Sequence, residues 1–373
     1  MTNDRENRMV TLDYTRADFD HSPFVVFYEV TRACDLVCQH CRACAQPGRD
    51  PRELDGEQAR QLIEQLASFP KPPMLVFTGG DPLKRPDVYG LVRQAVDFGL
   101  TAAMTPSATP LATPDALQRL QQAGLHRLAV SLDGVDAATH DALRGVSGSF
   151  DRTLEIMAAA RRTALPLQVN TTVTEANFGQ IDAMAAMLAR EGIVLWSVFF
   201  LVPVGRGEQL QRISPQQYEE VFEKLWRHAR QQLYGIKTTE APHYRRFVLD
   251  RRGNPQRSPE ELGGEQKQRA PLGINDGKGI LFIDHRGAIY PSGFLPLRCG
   301  RFPRDSVVDV YQNSPIFAQL RDGNQLQGKC GRCGFRHACG GSRARAYAVT
   351  GDPLAAEPDC VYQPKRVLST AQC

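Results

Sequence analysis

The sequence lacks long apolar runs and a strong net charge of either sign. No stretch approaches the roughly eighteen consecutive apolar residues of a membrane-spanning helix, and residues 1–20 carry charges throughout. A net charge of +4 over 373 residues gives no electrostatic footprint for nucleic acid. An apolar fraction of 42 % is enough for a large core. We therefore expect a globular, cytoplasmic protein of two or three domains, without a nucleic-acid or membrane partner.

Ten cysteines fall into two spaced groups with a few left over, which in a reducing compartment favours metal ligation over disulfides. The first group, Cys34, Cys38 and Cys41, has the spacing CxxxCxxC and follows an apolar run at residues 24–30. Three such thiolates can bind three irons of a [4Fe-4S] cube and leave one iron open. The alternatives are zinc, with His40 as a fourth ligand, and a chance grouping of core cysteines.

Short apolar runs alternate with amphipathic segments from residue 24 onwards, which predicts βα units around a parallel sheet. The predicted strands are 24–30, 74–78, 100–104, 128–132, 167–173 and 194–202, and the predicted helices are 56–67, 87–98, 114–123, 150–162 and 178–190. Six units with right-handed crossovers fit an α/β fold with an incomplete (β/α)6 parallel barrel, open on one side.

The periodicity changes beyond residue 202. We predict a long helix at 214–233, a surface loop at 251–268, and a hairpin formed by 279–283 and 288–290. The expected domain organisation is a tail at 1–22, a partial barrel at 23–212, a helical connector at 213–278 and a small C-terminal domain at 279–373.

Four motifs follow predicted strands, where parallel barrels place their chemistry. They are residues 29–41 (EVTRACDLVCQHC), 78–82 (TGGDP), 131–134 (SLDG) and 140–145 (HDALRG). In this order the motifs resemble the radical S-adenosylmethionine (SAM) superfamily, from about residue 24 to the C-terminus. The resemblance implies a six-unit barrel and an enzyme that reductively cleaves SAM to a 5'-deoxyadenosyl radical, with the amine and carboxylate of SAM on the open iron.

The resemblance also implies SAM contacts after the second and fourth strands. Backbone oxygens of Gly79, Gly80 and Asp81 would accept from the SAM amine, with Asp81 standing where the family usually has Glu. Glycines let the backbone approach a ligand closely. Ser131 and Arg144 match positions that hold the SAM carboxylate, which a guanidinium can bind bidentately. The alternatives are a tight turn without a ligand at residues 79–82 and a solvated surface charge at Arg144.

Three further residues match positions near the adenosine in relatives. His40 matches an aromatic position beside the adenine and is not expected to bind iron. Asn170 lies on the fifth predicted strand, and Leu201 opens the segment 201–207 (LVPVGRG) that backs the adenine in the family. Ordinary core or loop packing is the alternative for all three.

The second cysteine group is Cys330, Cys333, Cys339 and Cys360. Its spacing alone fits either zinc or a [4Fe-4S] cluster. It resembles the SPASM or twitch extension of radical SAM enzymes, which implies an auxiliary cluster and therefore two [4Fe-4S] clusters in all. A full SPASM pattern has further cysteines where this chain has Ser292 and Arg343, so we expect one auxiliary cluster, fully ligated by protein. Of the other cysteines, Cys299 is a weak candidate ligand, Cys44 a bystander and Cys373 a tail thiol.

Local strings at 29–34, 41–43, 201–207 and 339–347 resemble the branch of the superfamily that contains the alternative haem-synthesis enzymes, which act on tetrapyrrole propionates. We therefore expect hydrogen abstraction from a small carboxylate-bearing substrate, with a tetrapyrrole propionate as the candidate, and a flavodoxin or ferredoxin as electron donor. Three arginines could pair with propionates: Arg206, Arg343 and Arg345. The alternative for Arg343 and Arg345 is that they order the cluster loop by bonding backbone oxygens.

Two other functions are weighed. A peptide-modifying SPASM maturase often has an N-terminal recognition domain, and only residues 1–23 precede the first predicted strand, too few for such a domain. A non-catalytic metal-binding module would be expected to have lost one of the motifs, yet the cysteine triad and the SAM motifs are intact.

Overall fold

One ten-stranded sheet organises the chain. The computed structural model describes residues 14–252 and 273–364, and the strand order in the sheet is β10-β9-β8-β1-β2-β3-β4-β5-β6-β7. The strands are β1 (Val25–Thr31), β2 (Met74–Gly79), β3 (Thr101–Met104), β4 (Arg127–Ser131), β5 (Leu167–Val173), β6 (Leu195–Phe200), β7 (Gly235–Thr239), β8 (Ile280–Ile283), β9 (Ala288–Tyr290) and β10 (Gly300–Arg301).

Neighbouring strands from β8 through β1 to β7 are all parallel, whereas β9 pairs antiparallel with both β8 and β10. The six predicted strands are present in sequential order, so the predicted α/β architecture with a partial parallel barrel is confirmed. Their carboxyl ends meet at one edge of the sheet, and all four motifs lie at that edge or directly after it.

Helices cover the outer face. They are α1 (Gly56–Ala67), α2 (Val88–Asp97), α3 (Pro114–Gln122), α4 (Ala137–Arg144), α5 (Ser149–Arg162), α6 (Ile181–Leu188), α7 (Pro215–Gln231), α8 (His243–Arg252), α9 (Val307–Asn313), α10 (Pro315–Arg321), α11 (Gly328–Gly331) and α12 (Arg343–Thr350). The bounds of α1 match the prediction because Asp55 caps the helix, accepting from the Gln58 N–H at 2.8 Å. Its apolar stripe then faces the sheet with buried Ala59, Leu62, Ile63 and Leu66.

Two strands extend the sheet beyond the six predicted. β7 pairs parallel with β6 and was not predicted, because it is short, mostly half-buried and carries the polar residues Lys237, Thr238 and Thr239. The predicted hairpin is present as β8 and β9, but β8 also pairs parallel with β1, with Val25 opposite Ile280. The sheet therefore continues through the boundaries expected at residues 212 and 278.

The surface loop predicted at 251–268 lies outside the described residues except for its first two positions, which end α8. Among the helices of residues 14–252 and 273–364, none has the length and apolar content to cross a membrane.

Candidate active site

The loop that carries the first three cysteines leaves β1 and is fastened at its base. The Cys34 N–H donates to the Gln46 oxygen at 2.8 Å, and the Gln46 N–H donates to the Arg32 oxygen at 3.1 Å. Cys34 and Cys38 are only 5 % and 8 % exposed. The loop therefore closes over the carboxyl ends of the strands with its thiols turned inward.

Each of the three thiols has a polar neighbour. The sulfur of Cys34 lies 3.3 Å from the Ser107 hydroxyl, and that of Cys38 lies 3.7 Å from a guanidinium nitrogen of Arg144. The sulfur of Cys41 accepts from the Ala45 N–H at 3.5 Å. Burial raises the pKa of the Cys34 and Cys38 thiols above the ordinary value, and Ser107 and Arg144 offset part of that rise by stabilising the thiolate, which is the form that binds metal.

The thiols line an open cavity of about 1080 Å³, part of which is open to solvent. Seven of the eight residues predicted to contact SAM line it as well: His40, Gly79, Gly80, Ser131, Arg144, Asn170 and Leu201. The structure therefore brings together residues from five segments that are far apart in the chain.

Gly79 and Gly80 pack the end of β2 against the backbone that leads into the cysteine loop. There is no space for a side chain at either position. A Cβ at Gly79 would lie 2.2 Å from the Thr31 oxygen, and one at Gly80 would lie 2.4 Å from the Ala33 oxygen. The N–H groups of Gly80 and Asp81 donate to the same two oxygens at 2.8 and 2.7 Å. Both positions therefore require glycine.

Asp81 is the predicted SAM residue that does not line the cavity. Its buried carboxylate accepts from the Thr109 hydroxyl at 2.6 Å and from the Leu83 N–H at 3.2 Å. Burial raises the pKa of this carboxyl above its ordinary value despite those hydrogen bonds. The side chain thus orients the turn after β2, and the role predicted for its backbone oxygen stays a prediction.

α4 was not predicted, because it is only eight residues long, yet it positions Arg144. Asp136 caps its start, accepting from the Thr139 N–H at 2.8 Å. It ends at Gly145 with φ of 69°, where a Cβ would lie 2.8 Å from the Val37 oxygen. The last turn of the helix is therefore packed directly on the cysteine loop.

A buried ion pair lies beneath the cavity. The carboxylate of Asp133, fully buried, lies 2.6 Å from Arg144 and 3.6 Å from the Nε2 atom of His40, and accepts from the Thr172 N–H at 2.7 Å. Burial alone would raise the pKa of Asp133, but Arg144, then His40 and His140, bring it below its ordinary value. Asp133 therefore fixes a charged Arg144. The motif SLDG contained this residue, but its role was not predicted.

Three lining residues also present buried nitrogens that have no hydrogen-bond partner within the described part of the chain. These nitrogens are Nε of Arg144, Nδ1 of His40 and Nε2 of His140. Buried polar groups without partners are rare in native proteins. The three side chains that carry these nitrogens line the cavity in which a polar ligand would bind.

Of the three arginines considered as partners for propionates, Arg206, Arg343 and Arg345, none is among the lining residues of this cavity. Arg206 donates to the Cys38 oxygen at 2.8 Å and the Ala45 oxygen at 3.2 Å. The alternative for Arg343 and Arg345, hydrogen bonds to backbone oxygens, is present in the structure.

The other two arginines are 1 % and 0 % exposed. Arg343 donates to the Ala355 oxygen at 2.7 Å. Arg345 lies 3.2 Å from both Glu357 and Asp359. Both side chains therefore stabilise the C-terminal segment from within its interior.

Arg42 was not predicted and is found only in the structure. Of the lysines and arginines in the described residues, only Arg42 and Arg144 line the first cavity. Arg42 lies 3.1 Å from the buried carboxylate of Glu29, and its guanidinium lies 4.4 Å from the centre of the Phe282 ring. Glu29 also lies 2.9 Å from His285. The cysteine loop, β1 and the hairpin are thereby joined.

The second cysteine group surrounds another cavity, of about 360 Å³. Cys330, Cys333, Cys339 and Cys360 all line it, whereas Cys299 does not and instead points to the Leu297 oxygen. Cys44 is exposed, Cys373 lies outside the described residues, and the nine cysteines that are described are free thiols.

Within those residues, no three His, Cys, Asp or Glu side chains converge on the position of a single metal ion. A cube does not need such convergence, because each thiolate binds a different iron.

Known proteins resemble this chain along nearly its whole length. The sequence profile of the Radical SAM superfamily matches residues 28–188. AdoMet-dependent heme synthases of Methanosarcina barkeri and Nitratidesulfovibrio vulgaris are 37 % and 39 % identical, over 92 % of this chain and 98 % and 93 % of theirs. The chain belongs to the radical SAM superfamily. Mycofactocin maturase MftC of Mycobacterium ulcerans is 32 % identical over 92 % of this chain and 90 % of its own.

Solved structures agree on the fold of this radical SAM enzyme. Streptococcus suis SuiB bound to S-adenosylmethionine superposes with a TM-score of 0.70 at 15 % identity, over 92 % of this chain and 78 % of that one. The superfamily uses a [4Fe-4S] cluster and SAM, and when reduced the cluster supplies the electron that cleaves SAM to methionine and a 5'-deoxyadenosyl radical. The inward thiols and the unpartnered nitrogens fit these groups.

The requirement for glycine at the end of β2 is testable by substitution. Gly80→Ala should lower the rate of SAM cleavage by this radical SAM enzyme roughly a hundredfold, because the added Cβ must displace the entry to the cysteine loop and small misplacements are costly. Anaerobic assay of 5'-deoxyadenosine release measures it.

The matched control is Gly90→Ala on α2, where a Cβ would meet no heavy atom within 4 Å and where alanine favours the helix. It should keep the parental rate. Parental SAM cleavage by the Gly80→Ala variant would contradict the structural requirement.

Proposed function

We propose that this radical SAM enzyme oxidatively decarboxylates propionate side chains of an iron-coproporphyrin to vinyl groups. The observation that carries the proposal is the near end-to-end similarity to proteins named AdoMet-dependent heme synthase, at 37 % and 39 % identity. The peptide maturase MftC is 32 % identical, and the alignment covers a smaller share of MftC than of the heme synthases. This difference favours the tetrapyrrole substrate over a peptide.

The proposed ligands of the SAM-binding cluster are Cys34, Cys38 and Cys41. Their sulfurs lie beside a hydroxyl, a guanidinium and an N–H group, which lower the cost of the thiolate form. His40 is not proposed as a ligand, because its Nε2 atom faces the Asp133 carboxylate at 3.6 Å.

The proposed SAM contacts follow from the lining of the first cavity. Arg144 would bind the SAM carboxylate, since Asp133 holds its guanidinium in place and its Nε atom has no partner in the described residues. Ser131 lies on the adjoining strand end, and backbone oxygens of Gly79 and Gly80 would accept from the amine.

Two lining residues are proposed for the adenosine side of the cofactor. Asn170 on β5 offers a polar amide to the nucleoside, and its oxygen already accepts from Gln168 at 2.7 Å. Leu201, buried directly after β6, presents an apolar surface suited to a purine ring. Together with His40 they would form the adenine end of the site.

Arg42 is proposed as the anchor for a substrate carboxylate. Unlike Arg144, Arg42 makes no hydrogen bond to a cysteine sulfur in the described part of the chain, it lines the cavity, and 18 % of its side chain is exposed. Nearby, Phe199 and Phe294 line one wall with ring centres 6.4 Å apart. A cation beside an aromatic wall suits a flat macrocycle with acidic side chains.

The proposed chemistry requires an electron acceptor. Removal of a hydrogen atom from the propionate β-carbon leaves a carbon radical on the substrate. The hydrogen atom passes to the 5'-deoxyadenosyl radical. The bond between the α-carbon and the carboxylate then breaks, which releases carbon dioxide and one electron and turns the single bond between the α- and β-carbons into the double bond of the vinyl group. The protein must therefore provide a redox group to receive that electron.

The second cavity is the proposed location of the acceptor. Cys330, Cys333, Cys339 and Cys360 would hold a second [4Fe-4S] cluster there. Their spacing alone fits zinc equally well, but zinc has no redox chemistry and could not take up the electron. We further propose a small one-electron carrier protein of the flavodoxin or ferredoxin type as the donor for SAM cleavage.

The substrate proposal is tested with iron-coproporphyrin III, SAM and a reductant under anaerobic conditions. Each propionic acid converted should lose carbon dioxide and two hydrogens, as measured by mass spectrometry. Arg42→Gln should raise the KM for the porphyrin about tenfold or more, because it removes a charged hydrogen bond. Arg49→Gln is the control, since Arg49 pairs with Glu53 outside the cavity and should leave KM unchanged.

An unaltered porphyrin under conditions that cleave SAM would discard the substrate. Decarboxylation with an unchanged KM in the Arg42→Gln variant would discard only the anchor.

The cluster proposal is tested by iron content. Reconstituted protein should contain about eight irons as two cubes. A variant with Cys34, Cys38 and Cys41 all changed to alanine should keep about half the iron and lose SAM cleavage, whereas Cys333→Ala should retain the first cluster and some cleavage. Loss of SAM binding in the Cys333→Ala variant would contradict two separate sites.

A further inference from the structure

His243 is a buried histidine whose two ring nitrogens lack a hydrogen-bond partner among the described residues. It is the first residue of α8 and lies in the connector between the barrel and the C-terminal cysteines. Its exposed fraction is 0 %, and within the described residues neither Nδ1 nor Nε2 has a hydrogen-bond partner. A buried imidazole that is unsatisfied at both nitrogens is costly unless something else occupies the space beside it.

The surroundings of the His243 ring are two aromatic side chains and the cavity of the four cysteines. Tyr218 and Phe222 pack around it with ring centres 5.1 and 4.9 Å away. The hydroxyl of Tyr218 is itself buried and has no partner in the described part of the chain, so it does not bond the imidazole. His243 also lines the cavity of the four cysteines.

The same cavity is rich in positive charge. Arg246, Lys329 and Arg336 line it, and the acidic residue among the described lining residues is Glu357. The Glu357 carboxylate is already bonded, accepting from the Ser342 N–H at 2.6 Å. Positive groups and N–H donors beside a cluster raise its reduction potential, because they stabilise the reduced, more negative state.

We infer that His243 donates an N–H hydrogen bond to a sulfur of the cluster proposed in this cavity and raises its reduction potential. The inference rests on the proposed auxiliary cluster. An imidazole carries at least one N–H in either protonation state, so a donor is present at any working pH. The bond would make the cluster a better acceptor for the electron that decarboxylation releases.

The test is an EPR-monitored redox titration of the reconstituted holoenzyme. The signal of the auxiliary cluster is the one that SAM does not alter. His243→Phe keeps an aromatic ring of similar size and removes the donor, and His243→Gln keeps an N–H donor. Tyr218→Phe is the matched control, because it deletes a buried, unpartnered hydroxyl next to the same ring, and Tyr218 does not line the cavity.

His243→Phe should lower the ratio of reduced to oxidised auxiliary cluster at fixed potential about tenfold, which is about 59 mV for a one-electron couple. His243→Gln should restore most of the shift, and Tyr218→Phe should leave the potential at the parental value. The SAM-responsive signal should be the same in all variants.

Three results would overturn the inference. They are an unchanged potential in His243→Phe, a shift that His243→Gln does not restore, and loss of the auxiliary cluster in both His243 variants, which would make the residue a ligand. Parental protein with one cluster of four irons would instead refute the proposed auxiliary site itself, so the two failures are distinguishable.

Discussion

The contact between the end of β2 and the entry to the cysteine loop is the constraint on which the site depends. Gly79 and Gly80 lie so close to the chain at Thr31 and Ala33 that a side chain at either position would overlap a backbone oxygen. Two N–H donations across the contact fix its register. Because the loop is anchored there, its thiols face the strand ends, where the sheet converges. The cofactor site is thus a consequence of strand pairing as well as of the cysteine spacing.

Buried charge completes the site at an energetic cost. The ion pair between Asp133 and Arg144 is almost entirely removed from solvent, and breaking such a pair typically costs about 3–5 kcal/mol because one charge remains unpaired. The pair therefore holds a guanidinium beside Cys38 in a single position. Glu29 plays a similar part for Arg42. Both cations that line the cavity in the described residues are thus paired with a buried carboxylate.

Much of this could be predicted from the sequence, and the exceptions have physical causes. Strands buried on both faces and capped amphipathic helices give strong local signals, so β1 to β6 and α1 were predicted. β7 lacks an apolar run, and its place comes from pairing with β6. The arginines were ambiguous, since a long side chain can reach either a cavity or a backbone oxygen, and only packing decides. His243 has no local motif, and the cysteines whose cavity it lines are about 90 to 120 residues further along the chain.

The central claim is that the loop of Cys34, Cys38 and Cys41 holds a [4Fe-4S] cluster with one iron open to SAM. The most direct measurement is the EPR spectrum of the reduced protein before and after SAM is added, with isotopically labelled SAM resolved by electron-nuclear double resonance. We predict that the spectrum changes and that the amine nitrogen and carboxylate of SAM couple to the cluster. A spectrum that is identical with and without SAM would contradict the account.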